Sequence, residues 1–279
     1  SVVYLTAQKI QILPIPQKVE STQKKLRIDR KFEISLNSGF NQNCQHALDR
    51  LIANWEKKTL KKISPSKNAT SDFDFLIDPS WSGQSSTNEE YELQIDTKIH
   101  LRSKSESGFM HGLESLAQLI QSDSTGYFLP QCKISDWPRF VHRGLMIDVA
   151  RHFIPLEVIL RSIDGMAASK MNVLHLHLSD DEGFRIESKK FPNLQLKGSN
   201  GEFFTQEEIK KIVSYASERG IMVIPEFDLP GHSQSWFVGY PALASEKKEY
   251  KLGPRFIVEE GKPMNPMALS QMINSQATP

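Results

Sequence analysis

Residues 174–183 read Leu-His-Leu-His-Leu-Ser-Asp-Asp-Glu-Gly. Apolar and polar residues alternate, the period of a strand with two unlike faces, and the run ends in three successive carboxylates. Like charges repel and each costs free energy to desolvate, so a strand ending this way presents its acids to something. The pattern returns at Ile221-Met-Val-Ile-Pro-Glu-Phe-Asp228, followed by Leu-Pro-Gly-His232. Between the two runs, Thr205-Gln-Glu-Glu208 has the form of a capping box and Ile209, Ile212, Val213 and Ala216 fall on one helical stripe. Gly220 stands where a glycine closes a helix. Upstream, residues 144–149 read as a strand, and Leu156, Ile159, Leu160, Ile163, Met166 and Ala167 stripe a helix after Pro155. Strands alternating with helices lie parallel, and parallel strands carry their ligands at the carboxyl ends. Arg151, Asp180 and Asp228 fall there.

The first half has a different grammar. Cys44, Ala47, Leu48, Leu51, Ile52 and Trp55 stripe one helix, and Phe109, Leu113, Leu116, Ala117 and Ile120 another. Phe73, Phe75 and Ile77 recur at every second position, the period of a strand with one wet face. Tyr91, Leu93 and Ile95 face Ile99 and Leu101 across Asp96-Thr97-Lys98, the form of a hairpin. Helices against antiparallel strands predict a two-layer α+β sandwich over residues 1–138, with a supporting role, since no catalytic residue types gather in it. Residues 139–279 follow as the β/α part, with Asp136-Trp-Pro-Arg-Phe140 at the junction.

Composition narrows the class. A formal net charge of +1 provides no field to recruit nucleic acid or an anionic membrane. No apolar run approaches the ~20 residues of a membrane span, and the opening Ser-Val-Val-Tyr-Leu has no signal-peptide form. Cys44 and Cys132 have no metal-ligand spacing and read as two buried thiols, with one disulfide as the alternative. Asn68-Ala69-Thr70 fits the glycosylation acceptor pattern, a common one by chance.

Several strand-end residues have two readings. Arg151 is a donor for sugar hydroxyls or carboxylates, or an ion-pair partner of Asp148 or Asp180. Asp228 and His232, joined by a Leu-Pro-Gly turn, can form a hydrogen-bonded dyad that orients the imidazole and raises its pKa. Trp236 can wall a ring-shaped ligand or belong to the core. His175 and His177 share one face, either as inward core histidines or as the grip of a zinc-dependent barrel hydrolase.

Three longer motifs carry a resemblance. Arg143-Gly-Leu-Met-Ile-Asp-Val-Ala-Arg-His152, Lys170-Met-Asn-Val-Leu-His-Leu-His-Leu-Ser-Asp-Asp181 and Pro225-Glu-Phe-Asp-Leu-Pro-Gly-His-Ser233 resemble the family 20 glycoside hydrolases, the β-N-acetylhexosaminidases. Leu13-Pro-Ile-Pro16 resembles the start of their supporting domain. The resemblance implies an α/β domain followed by a (β/α)8 barrel. It implies removal of terminal β-linked N-acetylglucosamine or N-acetylgalactosamine by a retaining, substrate-assisted mechanism, in which the sugar's acetamido oxygen is the nucleophile. It further implies that Arg151 bonds hydroxyls of the terminal sugar, that Asp180 orients groups around the reaction centre, and that Asp228 and His232 support the general acid. No cofactor or metal is implied, the ligand is a small oligosaccharide or glycoconjugate, and the location is periplasmic or secreted. Glu182 and Phe184 depart from the glutamine and tryptophan of many bacterial members.

The family's general acid lies in a His-x-Gly-Gly-Asp-Glu motif that is not among these 279 residues. Asp181-Glu182 ends strand two and lacks the glycines, so it is no substitute. Residues 140–279 amount to 140, against about 250 for a typical barrel, which accounts for about three β/α units. The expectation is a truncated hexosaminidase, with little or no hydrolysis by this polypeptide alone. The alternative is a non-catalytic sugar-binding or structural remnant.

Overall fold

The computed structural model describes residues 10–36, 40–65 and 71–253. The Asn68 triplet and the polar tail with Leu269, Met272 and Ile273 lie outside them. In chain order the elements are β1 (Lys18–Arg27), β2 (Phe32–Leu36), α1 (Gln42–Thr59), β3 (Ile63–Pro65), β4 (Phe73–Ile77), β5 (Tyr91–Ile95), β6 (Ile99–Ser103), α2 (Glu106–Gln118), β7 (Gln121–Asp123) and β8 (Gly126–Asp136). There follow β9 (Gly144–Asp148), α3 (Leu156–Ala168), β10 (Val173–His177), β11 (Ser179–Asp180), β12 (Gly183–Phe184), α4 (Asn193–Gly198), α5 (Gln206–Ser217), β13 (Met222–Glu226) and α6 (Gln234–Gly239). Among the described residues, two compact units form: one from Ser1–Ile147, Pro155–Leu176 and Glu207–Pro225, the other from Asp148–Ile154, His177–Gln206 and Glu226–Pro279. The chain is of mixed α/β class, and no described helix is long and apolar enough to cross a membrane.

The first unit holds an eight-stranded sheet in the order β1-β8-β5-β6-β4-β2-β3, with β7 beside β8. The Asp96-Thr97-Lys98 turn closes the β5–β6 hairpin, with Ile95 opposite Ile99 and the Asp96 carboxylate accepting from the Lys98 N–H at 3.0 Å. The sheet is mixed, which corrects the antiparallel reading: β2 runs parallel to β3 and β4, and β4 parallel to β6. A helix supplies the crossover a parallel return requires, as the 18-residue α1 does between β2 and β3. The apolar stripes of α1 and α2 feed one core with the sheet. Its centre is aromatic: Trp55 packs on Phe32 and Phe73 at 5.3 and 5.8 Å between ring centroids, and Phe75 on Phe109 at 5.6 Å.

In the same unit, Lys170 holds a left-handed conformation (φ 57°) and buries its ammonium on Asp136 at 2.8 Å and the Tyr91 hydroxyl at 2.9 Å. Burial pushes the ammonium pKa down, and the Asp136 carboxylate opposes that shift. The Arg143 guanidinium donates to the Lys170 carbonyl at 2.7 Å, and the Asn172 N–H donates to the Arg143 carbonyl at 3.0 Å, which aligns the starts of β9 and β10.

β13, β10 and β9 form a three-stranded sheet. At the starts, Met222 N–H reaches Asn172 O and Asn172 N–H reaches Arg143 O; at the ends, Val149 N–H reaches His177 O and Leu178 N–H reaches Glu226 O. Starts meet starts and ends meet ends, so the strands run parallel, as the helix-separated pattern requires. Gly220, at φ +71° beyond α5, takes the left-handed turn that a side chain would oppose. These three strands are the barrel portion among the described residues. The outer strands expose Leu145, Met146, Met222 and Ile224, the apolar surface that an unclosed parallel sheet leaves.

In the second unit, β11 and β12 form a minimal hairpin that pairs Ser179 with Phe184 and Asp180 with Gly183. Helices α4 and α6 approach backbone to backbone. A Cβ on Gly198 would stand 2.5 Å from the Ser235 carbonyl oxygen, and one on Gly239 2.6 Å from that of Asn193.

Cys44 and Cys132 are both buried and both free, the paired-thiol alternative being absent, and burial pushes their pKa values up to about 11 and about 12. Native protein at pH 8 is therefore expected to resist a thiol reagent such as DTNB, while the guanidinium-unfolded chain titrates two thiols. Rapid labelling of the folded protein would contradict the burial.

Candidate active site at the strand ends

The groups gathered around Asp180 belong to the second unit. Its centre is Asp180, whose side chain is 2% exposed at the end of β10's extension. A carboxylate so desolvated must be compensated, and three basic side chains converge on it. Oδ2 is ion-paired with Arg151 Nη2 at 2.6 Å and accepts from His177 Nε2 at 3.0 Å; Oδ1 accepts from His232 Nδ1 at 3.1 Å and the Asp181 N–H at 2.6 Å. Burial pushes the carboxyl pKa up, but the His177 and Asp181 hydrogen bonds and the Arg151 and His232 charges outweigh it and hold the group below the usual carboxylate range.

Arg151 is held from both sides. Its Nη1 meets Asp148 Oδ2 at 2.6 Å, and Asp148 Oδ1 accepts the Ala150 and Arg151 N–H groups at 3.0 Å each. Both ion-pair partners considered from the sequence are thus engaged, while the side chain keeps 29% exposure. His177 is bracketed by carboxylates, Asp180 on Nε2 and Glu226 on Nδ1 at 2.7 Å. The Asp180 hydrogen bond, opposed by burial and aided by Glu226, lifts the imidazole pKa to about 9.

The predicted Asp228–His232 dyad is not what forms. His232 adopts φ +52° and turns its ring onto Asp180 instead, while the Ser233 hydroxyl ties the turn by donating to the Pro230 carbonyl at 2.7 Å. The physical reason is burial: Asp180 has lost its water and attracts every cation in reach, whereas Asp228 is only half-buried. Asp228 comes instead within ligand distance of His177 and Glu226. Trp236 is half-buried, its ring edge-on to Phe184 at 5.1 Å and to Phe227 at 6.5 Å, so packing takes up much of the indole.

The His175/His177 grip of the zinc alternative does not form: His177 meets Asp180 and Glu226, and His175 belongs to no cluster of three metal-ligating side chains among the described residues, whereas His177, Glu226 and Asp228 lie within mutual ligand distance, as do Asp180, Asp181 and His232. The three carboxylates that end the β10 run have separate fates. Asp181 Oδ1 accepts the Gln234 N–H at 3.0 Å at the head of α6. Glu182 is buried with Oε2 unpartnered among the described residues, and burial, with the Asp180 charge, pushes its carboxyl pKa up.

Two participants escaped the sequence reading. Glu226 lies opposite the end of β10 only once the register of β13 is known, and Arg185 is entirely buried. An acid at each of two strand ends was a usable signal for Glu226; nothing in the local pattern marked Arg185.

A parallel β/α sheet whose strand ends gather carboxylates, an arginine and histidines matches the barrel-type α/β class, whose members bind their ligands at the carboxyl face. Residues 9–137 match "Glycosyl hydrolase family 20, domain 2" and residues 140–273 match "Glycosyl hydrolase family 20, catalytic domain". The chain belongs to glycosyl hydrolase family 20. It is 35% identical over 257 residues to a beta-hexosaminidase of Vibrio furnissii, covering 84% of this chain and 40% of that protein. A chitobiase structure from Flavobacterium johnsoniae superposes with a TM-score of 0.77 at 32% identity, covering 94% of this chain and 42% of that one. An exo β-N-acetylglucosaminidase of Vibrio harveyi, in complex with N-acetylglucosamine, superposes at 0.73 with 30% identity, covering 84% and 38%. The chain thus spans about two fifths of these relatives' length.

His177 supplies a pH signature. Its folded pKa of about 9 lies above the unfolded value of 6.5, so its stabilising contribution is complete below about 6.5 and is lost as pH rises through about 9. NMR titration of the ring proton is expected to show a midpoint near 9, falling in Glu226→Gln. A midpoint near 6.5 in the parent chain would contradict the bracketed geometry.

Proposed function

We propose that Asp180, Arg151 and His232, with Asp228 nearby, form one side of a pocket for a terminal β-linked N-acetylhexosamine. A single observation carries this reading: a desolvated carboxylate and a partly exposed guanidinium meet at 2.6 Å at the carboxyl ends of parallel strands. The partly exposed Arg151, held from behind by Asp180 and Asp148, offers fixed donors to vicinal hydroxyls, and the Vibrio harveyi relative holds N-acetylglucosamine.

In the parent reaction on this reading, the acetamido oxygen of the sugar attacks its own anomeric carbon while a glutamic acid protonates the leaving oxygen. Arg151 holds sugar hydroxyls. Asp180 orients Arg151 and His232, Asp228 and His232 support the general acid, and Trp236 offers an apolar edge. The glutamic acid's motif is not among the 279 residues, so these residues contribute recognition and leave proton transfer to groups outside them. The reading takes residues 1–138 as the supporting domain and 139–279 as the first part of the barrel. It includes a glycoconjugate or chitin-derived oligosaccharide as ligand and a periplasmic or secreted location, both from the family resemblance.

Calorimetric titration of the 279-residue polypeptide with N-acetylglucosamine tests this. Saturable binding is expected, weakened about 10- to 100-fold in Arg151→Ala, the worth of a hydrogen bond to a charged group. Absence of binding by the folded parent chain would overturn the reading. With an aryl N-acetyl-β-glucosaminide, turnover at background level is expected, and robust hydrolysis would overturn the assignment of proton transfer elsewhere.

A further inference from the structure

Arg185 has no exposed surface, and six of its hydrogen bonds end on main-chain carbonyls. Nε donates to Val149 O and Ala150 O at 3.1 Å each, and Nη2 to Ala150 O at 2.7 Å and Glu182 O at 3.4 Å. Nη1 donates to Ser199 O at 2.7 Å and Glu202 O at 3.0 Å. The Glu202 carboxylate adds a longer ion pair with Nη1 at 3.7 Å. Burying a guanidinium is costly, and an apolar side chain would fill the same space more cheaply. The benefit must therefore lie in where those carbonyls are held.

Val149 and Ala150 immediately precede Arg151, and Glu182 lies in the turn of the hairpin that carries Asp180. Gly183 is the register partner of Asp180, and a Cβ there would stand 2.2 Å from the Arg185 guanidinium carbon. One planar group thus spans the backbone beside Arg151 and the hairpin beneath Asp180, in the space that Gly183 leaves. We propose that Arg185 is a positioning residue that sets Arg151 against Asp180 and thereby the sugar-binding geometry. The proposal rests on the sugar-pocket reading for its ligand. A lysine could not replace the arginine, since an ammonium lacks the planar fork that reaches carbonyls on opposite sides.

The test compares Arg185→Lys and Gly183→Ala, which keeps the arginine but denies it space, with Leu116→Ala, a core truncation in the other unit. Two readouts are taken on folded protein: N-acetylglucosamine affinity, and the titration of the Asp180 carboxyl by carbon NMR. Both site variants are expected to lose at least tenfold in affinity and to raise the Asp180 midpoint as the Arg151 charge withdraws. Leu116→Ala is expected to lower Tm while leaving both readouts unchanged. In an Arg151→Ala background, Arg185→Lys is expected to cost no further affinity, because its effect runs through Arg151.

Unchanged affinity and unchanged Asp180 titration in Arg185→Lys would overturn the proposal, as would additive losses in the double variant. If neither site variant folds, Arg185 is a folding residue only and the proposal falls. If the parent chain binds no sugar, the pocket reading fails by itself, and the Asp180 titration still decides whether Arg185 positions Arg151.

Discussion

Burial of the Asp180 carboxylate is the constraint on which the second unit depends. Removing a carboxylate from water is expensive, and the chain meets the cost with Arg151, His177, His232 and the Asp181 N–H. Each partner comes from a different stretch of chain: the exit of β9, the end of β10, the turn after β13 and the carboxylate's own neighbour. One buried charge therefore locks three strand ends to one another. The left-handed backbone at His232 is explained by this pull, since the ring must reverse direction to reach Asp180.

The charges around Asp180 form alternating links. Asp148 holds Arg151, Arg151 holds Asp180, Asp180 holds His177, and His177 holds Glu226. Alternation keeps every buried charge beside an opposite one, which is the arrangement a low-dielectric site tolerates. The exposed parts of Arg151 and His232 are the ends at which such a chain can still meet a ligand. Removing one partner would leave the others uncompensated, so the cluster behaves as a unit in which single substitutions do not add.

Much of the fold was legible because periodicity is a local property. The helices α3 and α5, the strands β9, β10 and β13 and the β5–β6 hairpin all lie where spacing, Pro155 and Gly220 placed them. The parallel pairing of β2, β3, β4 and β6 was not legible, because alternation records which faces are wet and says nothing of strand direction. At the site, Arg151 and Asp180 stood out as polar groups at strand ends. The partner of His232 was misread because Asp228 is close in sequence, whereas Asp180 is 52 residues away and wins through burial.

The sequence by itself determined the β/α alternation, the strand ends that bear acids, the family motifs and the residue types at those ends. These follow from short-range pattern and from the identity of side chains. Tertiary structure decided which acid was buried, which histidine it captured, and that Glu226 and Arg185 belong to the same assembly. Desolvation and sheet register, which set those outcomes, exist only once distant segments have packed together.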